Sequence, residues 1–132
     1  MFNKILTAAV LFASLSAYAF QANAGDDTKK NGYVGVEKCG MCHKSEKQGK
    51  QLSIWKETKH SQAFKTLQSK EADSIALAKG FKKPAAETPE CLKCHASGYD
   101  TDAALKAAKF KVEDGVQCET CHGPGSEYQS MS

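Results

Sequence analysis

Three short stretches of this chain place two cysteines and a histidine at the same spacing, C-x-x-C-H. Together they use all six cysteines and three of the four histidines. In such a pentapeptide the two thiols add to the vinyl groups of a porphyrin, and the imidazole that follows ligates the haem iron. The sequence therefore predicts three covalently attached c-type haems. The cysteine pairs that would hold them are Cys39 with Cys42, Cys91 with Cys94, and Cys118 with Cys121.

The histidine after each cysteine pair is the expected proximal iron ligand, namely His43, His95 and His122. The second axial position of each iron is filled by another side chain or left open, and this choice sets potential and reactivity. His60 is the remaining histidine, so this sequence can give at most one of three haems two histidine ligands. A surface histidine is the simpler interpretation of His60. We nevertheless expect a distal ligand, because Trp55 and Phe64 flank it and suit an imidazole held against a porphyrin.

Sulfur ligands are the next candidates for the distal positions. Met131 is one candidate, whereas Met41 lies inside the first motif and cannot reach across its own porphyrin. Lysine, tyrosine or the new amino terminus has weaker support. We therefore expect at least one haem iron to lack a distal side chain or to carry only water.

Other uses of six cysteines explain the pattern less well. Three disulfides or zinc bound by cysteine and histidine are both feasible in a secreted domain. Neither requires a histidine after every second cysteine, and C-x-x-C pairs make poor structural disulfides. The sequence therefore favours haem attachment.

The amino terminus has the pattern of a secretory signal. Lys4 precedes an apolar run over residues 5–20, and Ala22 and Ala24 form an A-x-A cleavage site. The run is short for a membrane span. We expect a signal peptide over residues 1–24, cleavage after Ala24, and a mature domain over residues 25–132 with no membrane span. Haem attachment to this motif takes place outside the cytoplasm, so the predicted location is the periplasm.

Charge excludes some partners. The chain has 18 basic residues, all lysine, against 15 acidic ones, for a formal net charge of +3. Haem propionates would bring the holoprotein close to neutral. Without arginine or a strong basic excess, nucleic acid is not an expected partner. One domain housing three haems must use porphyrin faces as part of its interior, so we expect little stable structure without haem.

Local patterns predict a mainly α fold with extensive loops and little or no sheet, wrapped around the three haems. We expect a helix over residues 45–67, with Gly49 as a weak break. A second helix should start at Ser69 and stop at Gly80. The apolar stripe expected on the first helix comprises Leu52, Trp55, Ala63 and Leu67.

The second half of the chain has further helix signals. Thr88 and Pro89 predict a capped helix that carries the second motif. Another helix is expected over residues 102–109, and the run Gly-Pro-Gly after His122 should break the chain. Residues 33–36 are the strand-like segment.

Longer elements around the motifs resemble the multihaem cytochrome c-554 family. They are Tyr33-Val-Gly before the first motif, Trp-x(4)-His ending at His60, and Gly-Val-x-Cys-Glu-x-Cys-His-Gly-Pro-Gly over residues 115–125. The last two are far more specific than C-x-x-C-H alone, and the likeness covers essentially the whole predicted mature chain. The resemblance implies a helical, loop-rich periplasmic electron carrier with haems stacked in close pairs. It also implies bis-histidine haems alongside one without a sixth ligand.

The resemblance places His60 at a distal-ligand position, usually for a haem other than the one bound just before it. The founding type takes electrons from hydroxylamine oxidation and has four haems. This sequence has no fourth motif and no histidine after the Gly-Pro-Gly, where the family commonly has a further ligand. Either Met131 substitutes for that ligand, or the chain is a shortened three-haem relative.

We expect the chain to pass single electrons along three adjacent haems, between periplasmic or membrane-associated redox proteins. This function needs no catalytic side chains. The alternative is a reductase or gas-binding protein that uses a five-coordinate haem on a small nitrogen- or oxygen-containing molecule. The sequence offers no evident acid–base set for such chemistry.

Overall fold

The computed structural model describes residues 30–130, so the predicted signal peptide and Met131 lie outside the described residues. Six short α-helices follow one another along this part of the chain. They are α1 (Val36–His43), α2 (Gln51–Lys56), α3 (Ala63–Leu67), α4 (Lys70–Ala78), α5 (Pro89–His95) and α6 (Cys118–His122). Single 3-10 turns lie at Glu46–Gln48, Ala85–Glu87, Ala103–Leu105 and Val112–Asp114.

The described residues form no β-sheet. One parallel bridge, between Tyr33 and Lys106, is the extent of strand pairing in residues 30–130. The expected mainly helical, loop-rich fold is thus confirmed. No helix in this range is both long enough and apolar enough to cross a bilayer.

The helices pack in two groups. In the first, α1 contacts both α2 and α6. In the second, α3 contacts α4 and α5, and the turn Ala85–Glu87 packs against all three. Buried Leu67, Ala76 and Ala85 form the core of this second group. The first and third C-x-x-C-H motifs therefore share one group, and the second motif lies in the other.

Tyr33 fixes the segment before α1. Its backbone N–H donates to Leu105 O at 2.7 Å, and its carbonyl accepts from Ala107 N at 2.8 Å. Its ring packs against Phe110, with the ring centroids 5.3 Å apart. The strand-like expectation for residues 33–36 is therefore wrong beyond this single bridge, because Val36 already begins α1.

The single helix expected over residues 45–67 is wrong. Gly49 (φ 86°) and Lys50 (φ 54°) both adopt left-handed backbone and separate the first 3-10 turn from α2. After α2, the Thr58 hydroxyl donates to Trp55 O at 2.7 Å, and the Ser61 hydroxyl donates to Thr58 O at 2.9 Å. Such local side-chain bonds compete with helical ones and end the helix. The four residues of the expected stripe are split between α2 and α3.

The helix expected over residues 102–109 is also wrong. The Asp102 carboxylate accepts from Ala104 N at 2.9 Å and caps only one 3-10 turn. The backbone N–H of Ala107 then bonds to Tyr33 O instead of to a helical carbonyl. A tertiary contact has overridden the helix propensity of an alanine- and lysine-rich segment.

Two predicted helix starts are confirmed. The Ser69 hydroxyl accepts from Ala72 N at 3.1 Å and caps α4, which ends before Gly80 (φ 85°). Thr88 precedes α5 and Pro89 is its first residue. The Thr88 hydroxyl does not cap the helix, because it donates to Pro84 O at 2.9 Å instead.

Candidate functional site

Each C-x-x-C-H motif lies wholly on one helix, and each helix ends at the motif histidine. These helices are α1, α5 and α6. Residues at i, i+3 and i+4 share one face of a helix, so both cysteines and the histidine can face the same porphyrin. In every motif the first cysteine is half-buried and the second is exposed. The predicted haem-attachment residues are therefore brought together within each motif.

The first and third motifs border the same cavity, of about 290 Å³. Packing of α1 against α2 shapes it at Gly40, where a Cβ atom would overlap the Leu52 side chain. Residues from both motifs share the lining with two apolar or aromatic neighbours. The lining comprises Cys39, Gly40, His43, Gln51, Leu52, Cys118, His122 and Tyr128.

The thiols of Cys39 and Cys118 line the same cavity and influence each other. Their hydrogen-bonding interaction, together with burial, raises the pKa of the Cys39 thiol well above its ordinary value. The same interaction lowers the pKa of Cys118 to about 6. Two haems attached at these sulfurs would have neighbouring thioether bonds, so the first and third sites adjoin.

The second motif is oriented by a bond to another helix. Nδ1 of His95 lies 2.9 Å from the carbonyl oxygen of Ala63, the first residue of α3. Because a carbonyl can only accept, Nδ1 carries the proton and the Nε2 lone pair is free to ligate iron. A cavity of about 480 Å³ lies beside this ring, lined by Glu57, Thr58, Lys59, Gln62, Ala63, Thr66 and His95.

His60 lies in the turn between α2 and α3, and it is exposed. Its carbonyl oxygen accepts from Ala63 N at 3.2 Å and from Val116 N at 3.0 Å. Nε1 of Trp55 donates to Val116 O at 2.8 Å. The backbone of this turn is thus fixed to the segment just before the third motif.

Comparison with known proteins shows the family of the chain. The sequence profile of the family described as cytochrome c554 and c-prime matches residues 38–123, which include all three motifs. The chain belongs to this family. Cytochrome c-554 of Nitrosomonas europaea is 31% identical over 131 residues, covering 94% of this chain and 49% of that protein. The chain thus spans about half the length of this curated relative. No solved structure matches it.

As a member of the cytochrome c554 family, the chain is a c-type cytochrome, whose cofactor is covalently bound haem. The residues fit such a cofactor. Each motif offers two thiols and an imidazole on one helical face, and His95 already holds the tautomer that iron requires. By contrast, residues 30–130 contain no cluster of three or more His, Cys, Asp or Glu side chains suited to a bare metal ion.

Glu119 is a site residue whose role the C-x-x-C-H pattern does not predict. It stands between the two cysteines of the third motif and is only 2% exposed. Its carboxylate accepts from the backbone N–H groups of Val34 (2.9 Å), Gly35 (2.8 Å) and Gly125 (2.7 Å). The third motif thereby holds the start of α1. The sequence signal was the glutamate in the Gly-Val-x-Cys-Glu-x-Cys-His element of this family.

Ser97 is a second residue that the motifs did not indicate. This buried serine follows the second motif, and its hydroxyl contacts that of Thr120 and accepts from Gln117 N at 2.8 Å. Its own N–H donates to Gly115 O at 2.9 Å. The loop after the second motif is therefore bound directly to the helix of the third.

Proposed function

We propose that the chain binds three c-type haems and passes single electrons between redox proteins. The observation that carries the proposal is the common cavity of the first and third motifs, with the Cys39 and Cys118 thiols side by side. The second motif is joined to the third through Ser97 and Thr120. Such placement supports one continuous set of neighbouring haems.

A carrier of this kind needs cofactors that stay in fixed positions during the reaction. Bound haem supplies a one-electron couple between ferric and ferrous iron. The chain's part is to hold each cofactor by two thioethers and one imidazole, on helices tied together by buried hydrogen bonds. Glu119 ties α6 to the start of α1, and Ala63 orients the His95 ring. Both contacts oppose movement of a site relative to its neighbours.

For the irons we propose His43, His95 and His122 as proximal ligands and His60 as a distal ligand. Met131 is the candidate for a second distal position. The fixed backbone of the turn that carries His60 supports a role in which the imidazole position matters. With four histidines in the sequence and three haems, at least two irons lack a second histidine.

We propose the periplasm as the compartment and other periplasmic or membrane-associated redox proteins as partners. The signal pattern over residues 1–24, with cleavage after Ala24, and a mature trihaem domain over residues 25–132 support this location. The near balance of lysine with acidic residues fits exchange with proteins rather than with nucleic acid.

The ligand count favours one alternative, a reductase or gas binder working at an open haem iron. The two functions differ in what the reduced protein does. A carrier returns its electrons to another cytochrome or a soluble mediator. A reductase is reoxidised at catalytic rates by a small nitrogen oxide.

The test starts from the full-length chain, matured in a host that attaches c-type haem and exports it. Mass spectrometry should give residues 25–132 plus three haems, and the Cys91→Ser/Cys94→Ser variant should give two. The reduced protein should be reoxidised rapidly by a ferric c-type cytochrome but not by nitric oxide or nitrite. A chain without haem, or with fewer than three, contradicts the proposal. Rapid multiple turnover with a nitrogen oxide would establish the alternative.

A further inference from the structure

We propose that Glu119 sets the reduction potentials of the haems held by the first and third motifs. Its buried negative charge favours ferric over ferrous iron at both sites and lowers both potentials relative to the haem of the second motif. This inference rests on the proposed function. In this role Glu119 is a positioning residue, since it acts on iron through its field rather than by contact.

The Glu119 carboxylate meets backbone donors and, among residues 30–130, no side chain of opposite full charge. The side chain is 2% exposed, the most buried large side chain among the described residues. Within residues 30–130, the hydrogen-bond partners of its carboxylate are the backbone N–H groups of Val34, Gly35 and Gly125, which all need an acceptor. No lysine forms an ion pair with it in residues 30–130.

The Glu119 charge lies near two of the three predicted haem sites. Glu119 is adjacent to Cys118 in sequence, and the start of α1 that it binds leads directly to Cys39. Its charge is felt at both sulfurs. The hydrogen bond to Cys118 is the main cause of the raised pKa of Cys39, and the Glu119 charge adds to that rise. At Cys118 the same charge opposes the lowering of the pKa that the bond from Cys39 causes.

The helix of the second motif packs in the other group, and its link to the third motif runs through the loop residue Ser97, which contacts Thr120. This helix, α5, contacts α3 and the turn Ala85–Glu87, which belong to the same group. A charge in a protein interior acts strongly over short distances and weakens with separation. The haem of the second motif should therefore respond least to Glu119.

The physical reason for the effect is the extra positive charge of ferric iron. A nearby carboxylate stabilises that charge, so reduction becomes less favourable. Because Glu119 is buried, dissolved salt screens it little. An exposed carboxylate near the same haem should have a smaller effect that salt removes.

Glu37 provides that matched control. It lies on α1, two residues before Cys39, with 64% of its side chain exposed. Its carboxylate is 4.0 Å from the Lys56 ammonium. Glu37→Gln and Glu119→Gln thus remove the same charge near the first motif, one from water and the other from the interior.

The experiment is a spectroelectrochemical titration of the wild-type, Glu119→Gln and Glu37→Gln holoproteins at low and high salt. Mass spectrometry first establishes that each carries three haems. In Glu119→Gln, two potentials should rise by about 59 mV, a tenfold change in the one-electron reduction equilibrium, at both salt concentrations. The third should move by less than half as much. Glu37→Gln should change the equilibria less than threefold, and only at low salt.

Glu119→Asp separates charge from structure, because it keeps the carboxylate but shortens its reach to the backbone donors. We expect lower thermal stability with potentials close to those of the wild type. If Glu119→Gln does not mature, the two-haem Cys91→Ser/Cys94→Ser holoprotein decides: it should keep the two lower wild-type potentials, and retention of the highest wild-type potential overturns the inference. Wild-type potentials in a three-haem Glu119→Gln protein also overturn it, leaving Glu119 a structural tie. Absence of haem from the wild type instead refutes the proposed function.

Discussion

Nδ1 of His95 and the carbonyl oxygen of Ala63 lie 2.9 Å apart, across the contact between α5 and α3. The N–H of Ala63 in turn donates to His60 O at 3.2 Å. The ring that would ligate the iron of the second haem is therefore oriented by the turn that carries His60. A change in this turn should alter both fold stability and the surroundings of that haem.

Gly115 lies against the turn that carries His60, so a substitution there tests the importance of this turn for stability. Its φ is 76°, and a Cβ atom there would lie 2.6 Å from His60 O. Gly115→Ala should lower the free energy of unfolding of the holoprotein by about 3 kcal/mol, through backbone strain and displacement of the turn. Thermal unfolding followed by circular dichroism measures the loss. Gly80→Ala is the control, since Gly80 has φ 85° and open space around its Cα. Equal losses in the two variants would show that the contact with His60 is unimportant.

The indole of Trp55 also holds the segment before the third motif. Trp55→Phe removes its hydrogen bond to Val116 O and should cost about 1 kcal/mol in urea unfolding. Ile54→Ala, next to it but 58% exposed, should cost less than about 0.5 kcal/mol. A Trp55→Phe protein as stable as the wild type would mean that water replaces the indole without loss.

Carbon monoxide measures open iron positions in the reduced holoprotein. Part of the Soret band should shift in the wild type, because this sequence supplies fewer histidines than six axial positions need. His60→Ala should increase the shifted fraction by about a third, one haem in three. Lys59→Ala, an exposed neighbour, should leave the fraction unchanged. An unchanged fraction in His60→Ala would remove His60 from the ligand set.

Asp114 should make stability depend on pH. Burial raises the pKa of its carboxyl above the ordinary value of 3.8. The ionised form therefore destabilises the fold at neutral pH. This cost disappears as the pH falls through the raised folded-state pKa towards 3.8.

Asp114→Asn should accordingly stabilise the protein near neutral pH by less than about 1 kcal/mol, since the side chain is only partly buried. The gain should vanish below pH 3.8, the ordinary value. Urea unfolding of both proteins across this range gives the difference, and Glu113→Gln serves as the exposed control. A gain of the same size at every pH would point to packing instead of charge.

The attachment residues can be predicted from the sequence because C-x-x-C-H is a local pattern with a chemical meaning. The helix cap at Ser69 and the proline at the start of α5 were equally local. The helix over residues 45–67 failed because a non-glycine residue, Lys50, adopts left-handed backbone after Gly49. No propensity scale would favour that conformation.

The structural features that local sequence patterns did not predict depend on long-range contacts. The helix expected over residues 102–109 does not form, because its backbone groups bond instead to Tyr33, more than seventy residues earlier in the chain. The role of Glu119 depends on backbone groups of Val34 and Gly35, which no window of sequence around the third motif contains. The grouping of the first motif with the third, rather than with the second, likewise depends on packing alone.

The hydrogen bonds between Glu119 and the segment before α1 also bear on the order of haem attachment and folding. The Glu119 carboxylate joins residues 85 positions apart, so the amino-terminal segment cannot close until the third motif has been synthesised. Once it closes, Cys39 and Cys118 are half-buried side by side in a cavity of about 290 Å³. A catalyst that forms thioethers at these sulfurs needs the open chain. We therefore expect covalent haem attachment to precede closure of the domain.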